Sequence, residues 1–163
     1  WRYGAQPLTL LWCGAAAALL AASVIDWDTT VLPDAITLPL LWIGLVAAAA
    51  GWTVPLPSAL AGAAAGYLSL WSVYWLFKLA TGKEGMGYGD FQLLAALGAW
   101  MGWKALLPIV LLSSLVGAVV GVALIILARR GREIPIPFGP YLAAAGMIAM
   151  LAGDRLTRWL VPL

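Results

Sequence analysis

The fold is decided by the stretch ALLPIVLLSSLVGAVVGVALIIL, which runs from Ala105 to Leu127 and contains no charged residue. A helix needs about 20 mainly apolar residues to cross the hydrocarbon core of a bilayer, and this stretch is long enough. Inside lipid every backbone N–H and C=O must find a partner within the chain, and a helix provides one for each. The stretch therefore predicts a membrane-spanning helix.

The rest of the chain repeats this pattern on both sides. Comparable apolar segments lie at Leu8–Ile25, Ala35–Trp52 and Ser58–Leu79, and shorter ones lie at Phe91–Trp103 and Pro140–Ala152. We predict an all-α, polytopic integral membrane helix bundle with about six transmembrane helices, folded as one domain over residues 1–163.

Small residues within these segments predict close packing between the helices. The GxxxG spacing lets the backbones of neighbouring membrane helices approach each other. It occurs in three glycine pairs: Gly62 and Gly66, Gly98 and Gly102, and Gly117 and Gly121.

The composition excludes a soluble domain and several kinds of chemistry. Of the 163 residues, 64% are hydrophobic and 10% are charged, against about 45–50% and about 25% in soluble domains. The absence of histidine excludes a Ser-His-Asp triad and an HExxH zinc site, and a single cysteine excludes a CxxC pair. We predict no metal site. The net charge of +2 forms no basic stripe, so the expected partner is the lipid bilayer and not nucleic acid.

The loops divide between the two sides of the membrane. With six spans, Asp26–Asp34, Ala80–Asp90 and Arg129–Gly139 fall on one side. The arginine cluster Arg129–Arg132 favours the cytoplasm for that side, because short cytoplasmic loops are enriched in Lys and Arg. The excess of positive charge over the other side is small.

Two aspartates at the ends of predicted spans point to chemistry. Asp26 ends the first apolar run, and Asp90 opens the fourth, on the same side of the membrane. An ionisable residue at membrane depth costs at least ~2.5–3.5 kcal/mol, so each one needs a reason. Two carboxylates that converge cannot both ionise and hold one proton between them, which is the arrangement that aspartyl proteolysis uses.

The acids also have plainer interpretations. Asp90 can cap its own helix while Asp26 faces water, and Asp34 follows a proline at an apparent N-cap position. Asp28 fits a solvated loop charge. A different class of function, a transporter with a proton or cation pathway, also uses buried carboxylates, but it needs them deeper in the bundle.

The segment before Asp90 is rich in glycine. Gly85, Gly87 and Gly89 do not form GxGxxG, and no strand precedes them, which disfavours a dinucleotide-binding loop. Glycine permits another chain to lie close to the backbone. The segment is therefore a candidate for holding a substrate strand beside Asp90.

Three segments together resemble one family. The stretch EGMGYGDFQLLA at Glu84–Ala95 resembles the signature of the type IV prepilin peptidases, which are GxGD-type intramembrane aspartyl proteases. IDWDTTVLPD at Ile25–Asp34 resembles their first motif, and IPFGP at Ile136–Pro140 resembles a third recurrent segment. The three occur in the family's order across most of the chain.

The resemblance implies a function. Asp26 and Asp90 would be the catalytic pair, facing the cytoplasm from the bacterial inner membrane. The substrates would be type IV prepilins or type II secretion pseudopilins, cut after a glycine that ends a basic leader. The new N-terminus would then be methylated with S-adenosylmethionine. Proteolysis itself would need no cofactor.

Asp28 and Asp34 match accompanying family positions and are secondary site candidates. For such a substrate, Gly87 and Gly89 would shape the groove. Asp28 and Glu84 would attract the leader, because they are negatively charged and the leader is basic.

Two departures from the family are visible. Gln92 stands where the family usually has lysine. The family's N-terminal helix and zinc-binding cytoplasmic domain have no counterpart in the sequence, so we expect this chain to correspond to the last six of eight helices. Methyl transfer is expected only where that additional part is present.

Overall fold

The structure is a computed structural model that describes residues 7–83, 85–127 and 137–152. Within these ranges the chain is helical and forms no strand, which confirms the all-α prediction. The described α-helices, in chain order, are α1 (Pro7–Thr29), α2 (Asp34–Ala49), α3 (Leu56–Thr81), α4 (Tyr88–Met101), α5 (Leu106–Leu127) and α6 (Gly139–Ala152). A 3₁₀ turn at Trp103–Ala105 joins α4 to α5.

The helices differ in how well they suit a membrane crossing. Three apolar spans are long enough on length and composition: Leu8–Thr29, Leu56–Thr81 and Trp103–Ala123. Asp34–Ala49 and Gly139–Ala152 are apolar but shorter. Helix α4 has 14 residues, and at about 1.5 Å per residue it is shorter than the about 30 Å of hydrocarbon. The described bundle therefore combines three long helices, α1, α3 and α5, with three shorter ones, α2, α4 and α6.

Helix α4 forms the centre of the bundle. It packs against α2, α3 and α6, while α5 and α1 pack against α6. Its side chains are buried on all sides, from Phe91 at 0% exposure to Trp100 at 1%. The indole N–H of Trp100 donates a hydrogen bond to the carbonyl oxygen of Leu40 at 2.8 Å, which ties α4 to α2. A mainly apolar helix needs other helices or lipid around it, and for α4 the other helices provide most of that cover.

Glycines bring α3 and α4 into backbone contact. Gly62 of α3 and Gly98 of α4 face each other, and a Cβ added to either would meet the other's carbonyl oxygen. A Cβ at Gly66 would lie 2.7 Å from the carbonyl oxygen of Leu94. Close approach is confirmed for these glycines. It does not hold at Gly117, where an added Cβ would make an ordinary 3.4 Å contact with a ring carbon of another side chain.

The start of α2 corrects one interpretation. Asp34 is not the N-cap of this helix: Pro33 occupies that position with φ −74° and ψ 128°, and no side chain caps the helix. Asp34 already lies within the first helical turn. Its charge there can favour the helix dipole.

Candidate active site

The first carboxylate, Asp26, lies in the last turn of α1 and is only 4% exposed. It packs against Gly139, the first residue of α6. A Cβ added at Gly139 would lie 2.5 Å from Oδ2 of Asp26 and 2.9 Å from Cδ1 of Leu32. Because glycine has no side chain, the end of α1 and the start of α6 can meet at this point.

The second carboxylate, Asp90, lies in the first turn of α4 and is 5% exposed. The main-chain N–H of Gly87 donates to its Oδ2 at 3.3 Å. The other oxygen, Oδ1, does not take part in that bond. Asp90 is therefore the third residue of a capping box with Gly87, which agrees with the capping part of the plainer interpretation. The other part, an Asp26 that faces water, is wrong, because Asp26 is buried.

Aromatic side chains hold the start of α4 in place. Phe91, directly after Asp90, is fully buried. Its ring lies 5.8 Å from that of Tyr67, 5.6 Å from that of Tyr74 and 5.5 Å from that of Tyr88, in edge-on geometries. Such geometries are the favourable ones for aromatic pairs. Asp90 thus projects from a rigid position.

Both aspartates line one cavity of about 250 Å³. The cavity lies where α1 ends and where α4 and α6 begin. Leu32, Met86 and Phe138 form an apolar part of its wall. Two buried acids that share a partly enclosed site tend to hold on to a proton, because burial and a neighbouring negative charge both disfavour the ionised form.

The protonation of Asp90 follows from this setting. Burial raises the pKa of its carboxyl to about 7, and the charge of Asp26 acts in the same direction. The hydrogen bond from the Gly87 N–H opposes these effects and lowers the pKa. Near neutral pH the site can therefore supply both a carboxylic acid and a carboxylate.

Each aspartate has one buried oxygen that is free for a further contact. Oδ2 of Asp26 and Oδ1 of Asp90 have no hydrogen-bond partner among the residues that the structure describes. A buried polar atom without a partner is costly. Two such atoms in one cavity are suited to a water molecule or a substrate carbonyl between them.

Leu32 holds the three parts of the site together. Its side chain is 7% exposed and belongs to the core. A Cβ added at Gly89 would lie 2.5 Å from Cβ of Leu32, and one at Gly139 would lie 2.9 Å from its Cδ1. The loop between α1 and α2 thus inserts Leu32 between the starts of α4 and α6.

The other predicted site residues have different placements. Gly87 and Gly89 line the cavity. Asp28 and Asp34 are exposed and do not line it. Glu84 lies outside the described residues.

Several lining residues were not predicted from the sequence. Thr30, Leu32, Met86 and Phe138 lie in the cavity wall, and Gly139 packs on Asp26. All of them fall inside or beside the motifs that carry the family resemblance. For Gly139 the sequence signal was a glycine followed by a proline at the start of an apolar segment. Such a glycine indicates a close backbone contact, but the sequence does not identify the residue that it contacts.

Gln92, the departure from the family pattern, links α4 to α2. The hydroxyl of the buried Thr37 donates to its side-chain oxygen at 2.6 Å. An ammonium group has no acceptor, so a lysine could not receive this bond. The Gln92 side chain therefore joins α4 to α2 through Thr37, and unlike lysine it adds no charge.

Comparison with known proteins places the chain in a family. A model of the type IV leader peptidase family matches residues 13–122. The chain is 60% identical over 160 residues to the prepilin leader peptidase/N-methyltransferase of Aeromonas salmonicida, which covers 95% of this chain and 55% of that protein. It is 59% identical over 158 residues to the protein of that name from Pseudomonas aeruginosa, covering 97% and 52%.

A third relative, from Xanthomonas campestris pv. campestris, has the same name and is 53% identical over 161 residues, covering 96% of this chain and 54% of its own length. The chain thus spans about half the length of these curated relatives. No solved structure gives a significant match. The matched region contains Asp26 and Asp90, and the resemblance seen in the sequence is confirmed: the chain belongs to the type IV leader peptidase family.

Proposed function

We propose that this chain is an intramembrane aspartyl endopeptidase in which Asp26 and Asp90 are the catalytic pair. The observation that carries the proposal is their placement in one cavity, each with a buried oxygen that lacks a partner among the described residues. The substrates are type IV prepilins or type II secretion pseudopilins, in keeping with the names of the relatives. Cleavage follows the glycine at the end of the basic leader.

The pair performs general acid–base catalysis on the peptide bond. The ionised carboxylate takes a proton from a water molecule as the water oxygen attacks the carbonyl carbon. The protonated partner donates its proton to the carbonyl oxygen, which gives a neutral tetrahedral diol. When the C–N bond breaks, one diol hydroxyl returns a proton to a carboxylate, and the amine leaves with the proton first taken from water. The raised pKa of Asp90 makes it the acid in the resting pair.

The glycines just before α4 and in its first turn form the substrate groove. Gly85, Gly87 and Gly89 line the cavity beside Asp90. Gly87 has an extended backbone, with φ −82° and ψ 153°. Because these residues lack side chains, an extended substrate segment can lie against the main chain.

Charge outside the cavity guides the leader. Asp28 is exposed on the last turn of α1 and, with Glu84, provides negative charge for a basic leader. The arginines between 129 and 132 suit anionic lipid headgroups, because they would repel that leader. By the preference of short cytoplasmic loops for Lys and Arg, the arginine cluster favours the cytoplasm for this side, and we place the active site at the cytoplasmic face of the bacterial inner membrane.

Methyl transfer is a separate question. S-adenosylmethionine consists of an adenosine joined to a methionine, and cavities that enclose ligands of this size measure about 300–1,000 Å³. The cavity of about 250 Å³ lies below that range, and we do not place the methyl donor in it. Methylation of the new N-terminus therefore stays a prediction of the resemblance and is not assigned to this site.

The test is a cleavage assay in liposomes. The chain, Asp26→Asn and Asp90→Asn are each incubated with a model prepilin, and products are identified by mass spectrometry. Asp34→Asn is the matched control, since it removes an exposed carboxylate that does not line the cavity. We expect cleavage after glycine by the parent and by Asp34→Asn but not by Asp26→Asn or Asp90→Asn. Cleavage by either Asp26→Asn or Asp90→Asn at the parent's rate would contradict the proposal. Proton flux without cleavage would favour a transporter instead.

A further inference from the structure

Thr30 ends α1 in a conformation that suits glycine. Its φ is 56°, and it is the one non-glycine residue with positive φ among those the structure describes. Its N–H closes the last turn of α1 on the carbonyl oxygen of Asp26 at 2.8 Å. A β-branched residue is an outlier in this region, where helices usually end on glycine. The other described positions of this kind are Gly51, Gly82 and Gly102, at or next to the ends of α2, α3 and α4.

The strained residue is also part of the site. Thr30 lines the cavity together with Asp26 and Asp90, and these three are the described lining residues with polar side chains. Residues held in unfavourable backbone conformations concentrate at functional sites, where the side chain has a use that outweighs the strain. A glycine would relieve the strain at position 30 but would remove the third polar side chain from the cavity wall.

The hydroxyl of Thr30 is able to accept a hydrogen bond. It donates to the carbonyl oxygen of Thr29 at 2.7 Å, which leaves the lone pairs of its oxygen as acceptors. The neighbouring Thr29 differs, because its hydroxyl donates to the carbonyl oxygen of Ile25 at 2.7 Å and accepts from the N–H of Val31 at 3.4 Å. The Thr29 side chain thus stabilises the turn, and its role is local.

We infer that Thr30 is a substrate-binding residue whose hydroxyl accepts a hydrogen bond from a main-chain N–H of the bound peptide. The inference rests on the proposed function. A peptide that enters the cavity leaves part of its water behind, and its N–H groups then need acceptors in the wall. Asp26 and Asp90 act on the scissile bond, so Thr30 is the remaining side-chain acceptor in the described wall.

Three substitutions separate the effect of losing the Thr30 hydroxyl from the effect of relieving its backbone strain. Thr30→Val keeps the β-branch and removes the hydroxyl, Thr30→Ser keeps the hydroxyl, and Thr30→Gly removes both. Loss of one hydrogen bond should lower kcat/KM by about three- to tenfold in Thr30→Val and Thr30→Gly, mainly through a higher KM. Thr30→Ser should retain the parent value. Relief of strain should also raise the Tm of Thr30→Gly by about 2–4 °C, while Thr30→Val gains nothing.

The experiment measures kcat, KM and Tm for the whole chain in liposomes with a model prepilin. A more stable but less active Thr30→Gly, together with a weakened Thr30→Val and an active Thr30→Ser, supports the inference. Parent values of kcat/KM in both Thr30→Val and Thr30→Gly overturn it, and so does an equal loss in Thr30→Ser and Thr30→Val. Asp26→Asn is run beside them: if it is inactive while the Thr30 variants cut normally, only this inference fails. If Asp26→Asn cuts as well as the parent, the proposed function fails too.

Discussion

The two ends of α4 use glycine in opposite ways. At its C-terminal end, Gly98 lets the backbone of α3 pack directly on α4, and Trp100 finds its hydrogen-bond partner. At its N-terminal end, Gly89 makes room for Leu32 beside a cavity in which two carboxylate oxygens have no partner in the described part of the chain. The first end is closely packed, and the second borders the proposed active site. Substitutions at the two ends should therefore affect different properties.

Among substitutions outside the two aspartates, the largest effect on activity is expected from Gly139→Ala. An added Cβ would lie 2.5 Å from Oδ2 of Asp26, so the carboxylate has to move. A misplacement of about 1 Å at a reacting group can lower the rate about 100-fold, and we expect a loss in kcat of that order. Gly117→Ala is the matched control, because its Cβ would make an ordinary contact at 3.4 Å. Parent-like kcat in Gly139→Ala would mean that this contact does not position Asp26.

Leu32→Ala should lower both the stability of the protein and its kcat. Removing a buried leucine costs about 2–5 kcal/mol in the free energy of unfolding. Since Leu32 separates the starts of α4 and α6, we also expect a loss in kcat that persists at temperatures where the variant is folded. Denaturant unfolding and cleavage rates measure the two effects. Val31→Ala, an exposed neighbour at 61%, should change neither. A folded Leu32→Ala with the parent's kcat would limit this residue to core packing.

Gly98→Ala should reduce stability and spare the chemistry. The added Cβ would meet the carbonyl oxygen of Gly62, and overpacking of this kind costs about 1–3 kcal/mol. The control is Gly14→Ala, whose Cβ would meet nothing within 4 Å. The comparison predicts a lower Tm and an unchanged kcat for the folded fraction. A large loss of kcat without a change in Tm would contradict the division between the two ends.

The dependence of the cleavage rate on pH tests the protonation state of the Asp26 and Asp90 pair. The proposed mechanism needs one proton on the pair, and burial raises the pKa of Asp90 to about 7. As pH rises above about 7, that proton is lost and the cleavage rate should fall, approaching tenfold per pH unit. The rate–pH profile of the parent with a substrate that has no titrating group nearby measures this. A rate that stays constant from pH 6 to about 9 would rule out Asp90 as the acid.

The smallest effect is expected from Asp34→Asn. Asp34 is exposed in the first turn of α2 and makes no capping bond. Loss of its charge should remove about 0.3–1 kcal/mol of favourable helix-dipole energy and leave cleavage nearly unchanged. The readouts are Tm and kcat/KM. A loss of activity comparable to that of Asp90→Asn would show that the acid assignment is incomplete.

The helices and the two acids were predictable because each signal is local. The length of an apolar stretch alone predicts helices such as α5. Asp26 and Asp90 stand out in the sequence because an ionisable residue at the end of a membrane span is costly and needs a reason. That the structure places both acids in one cavity agrees with the predicted convergence. Their catalytic role stays a proposal.

The rest of the site depends on contacts between distant segments. Leu32 appears in the sequence as one apolar residue among many, and its importance comes from packing against Gly89 and Gly139. The conformation of Thr30 also gave no sequence signal, because glycine is the usual residue at such a position. The Asp34 interpretation was wrong because Pro33 takes the N-cap position.

The most direct test of the central claim is an infrared titration of the two carboxyls. The proposed mechanism requires that the carboxyls of Asp26 and Asp90 are close enough to share one proton. The C=O stretch of protonated aspartic acid, recorded against pH in the parent and in Asp26→Asn, follows that proton. We predict a carboxyl with a pKa of about 7 in the parent, and a lower pKa for Asp90 in Asp26→Asn, since a repelling charge is gone. An identical pKa in both proteins would contradict the claim that the two acids form one site.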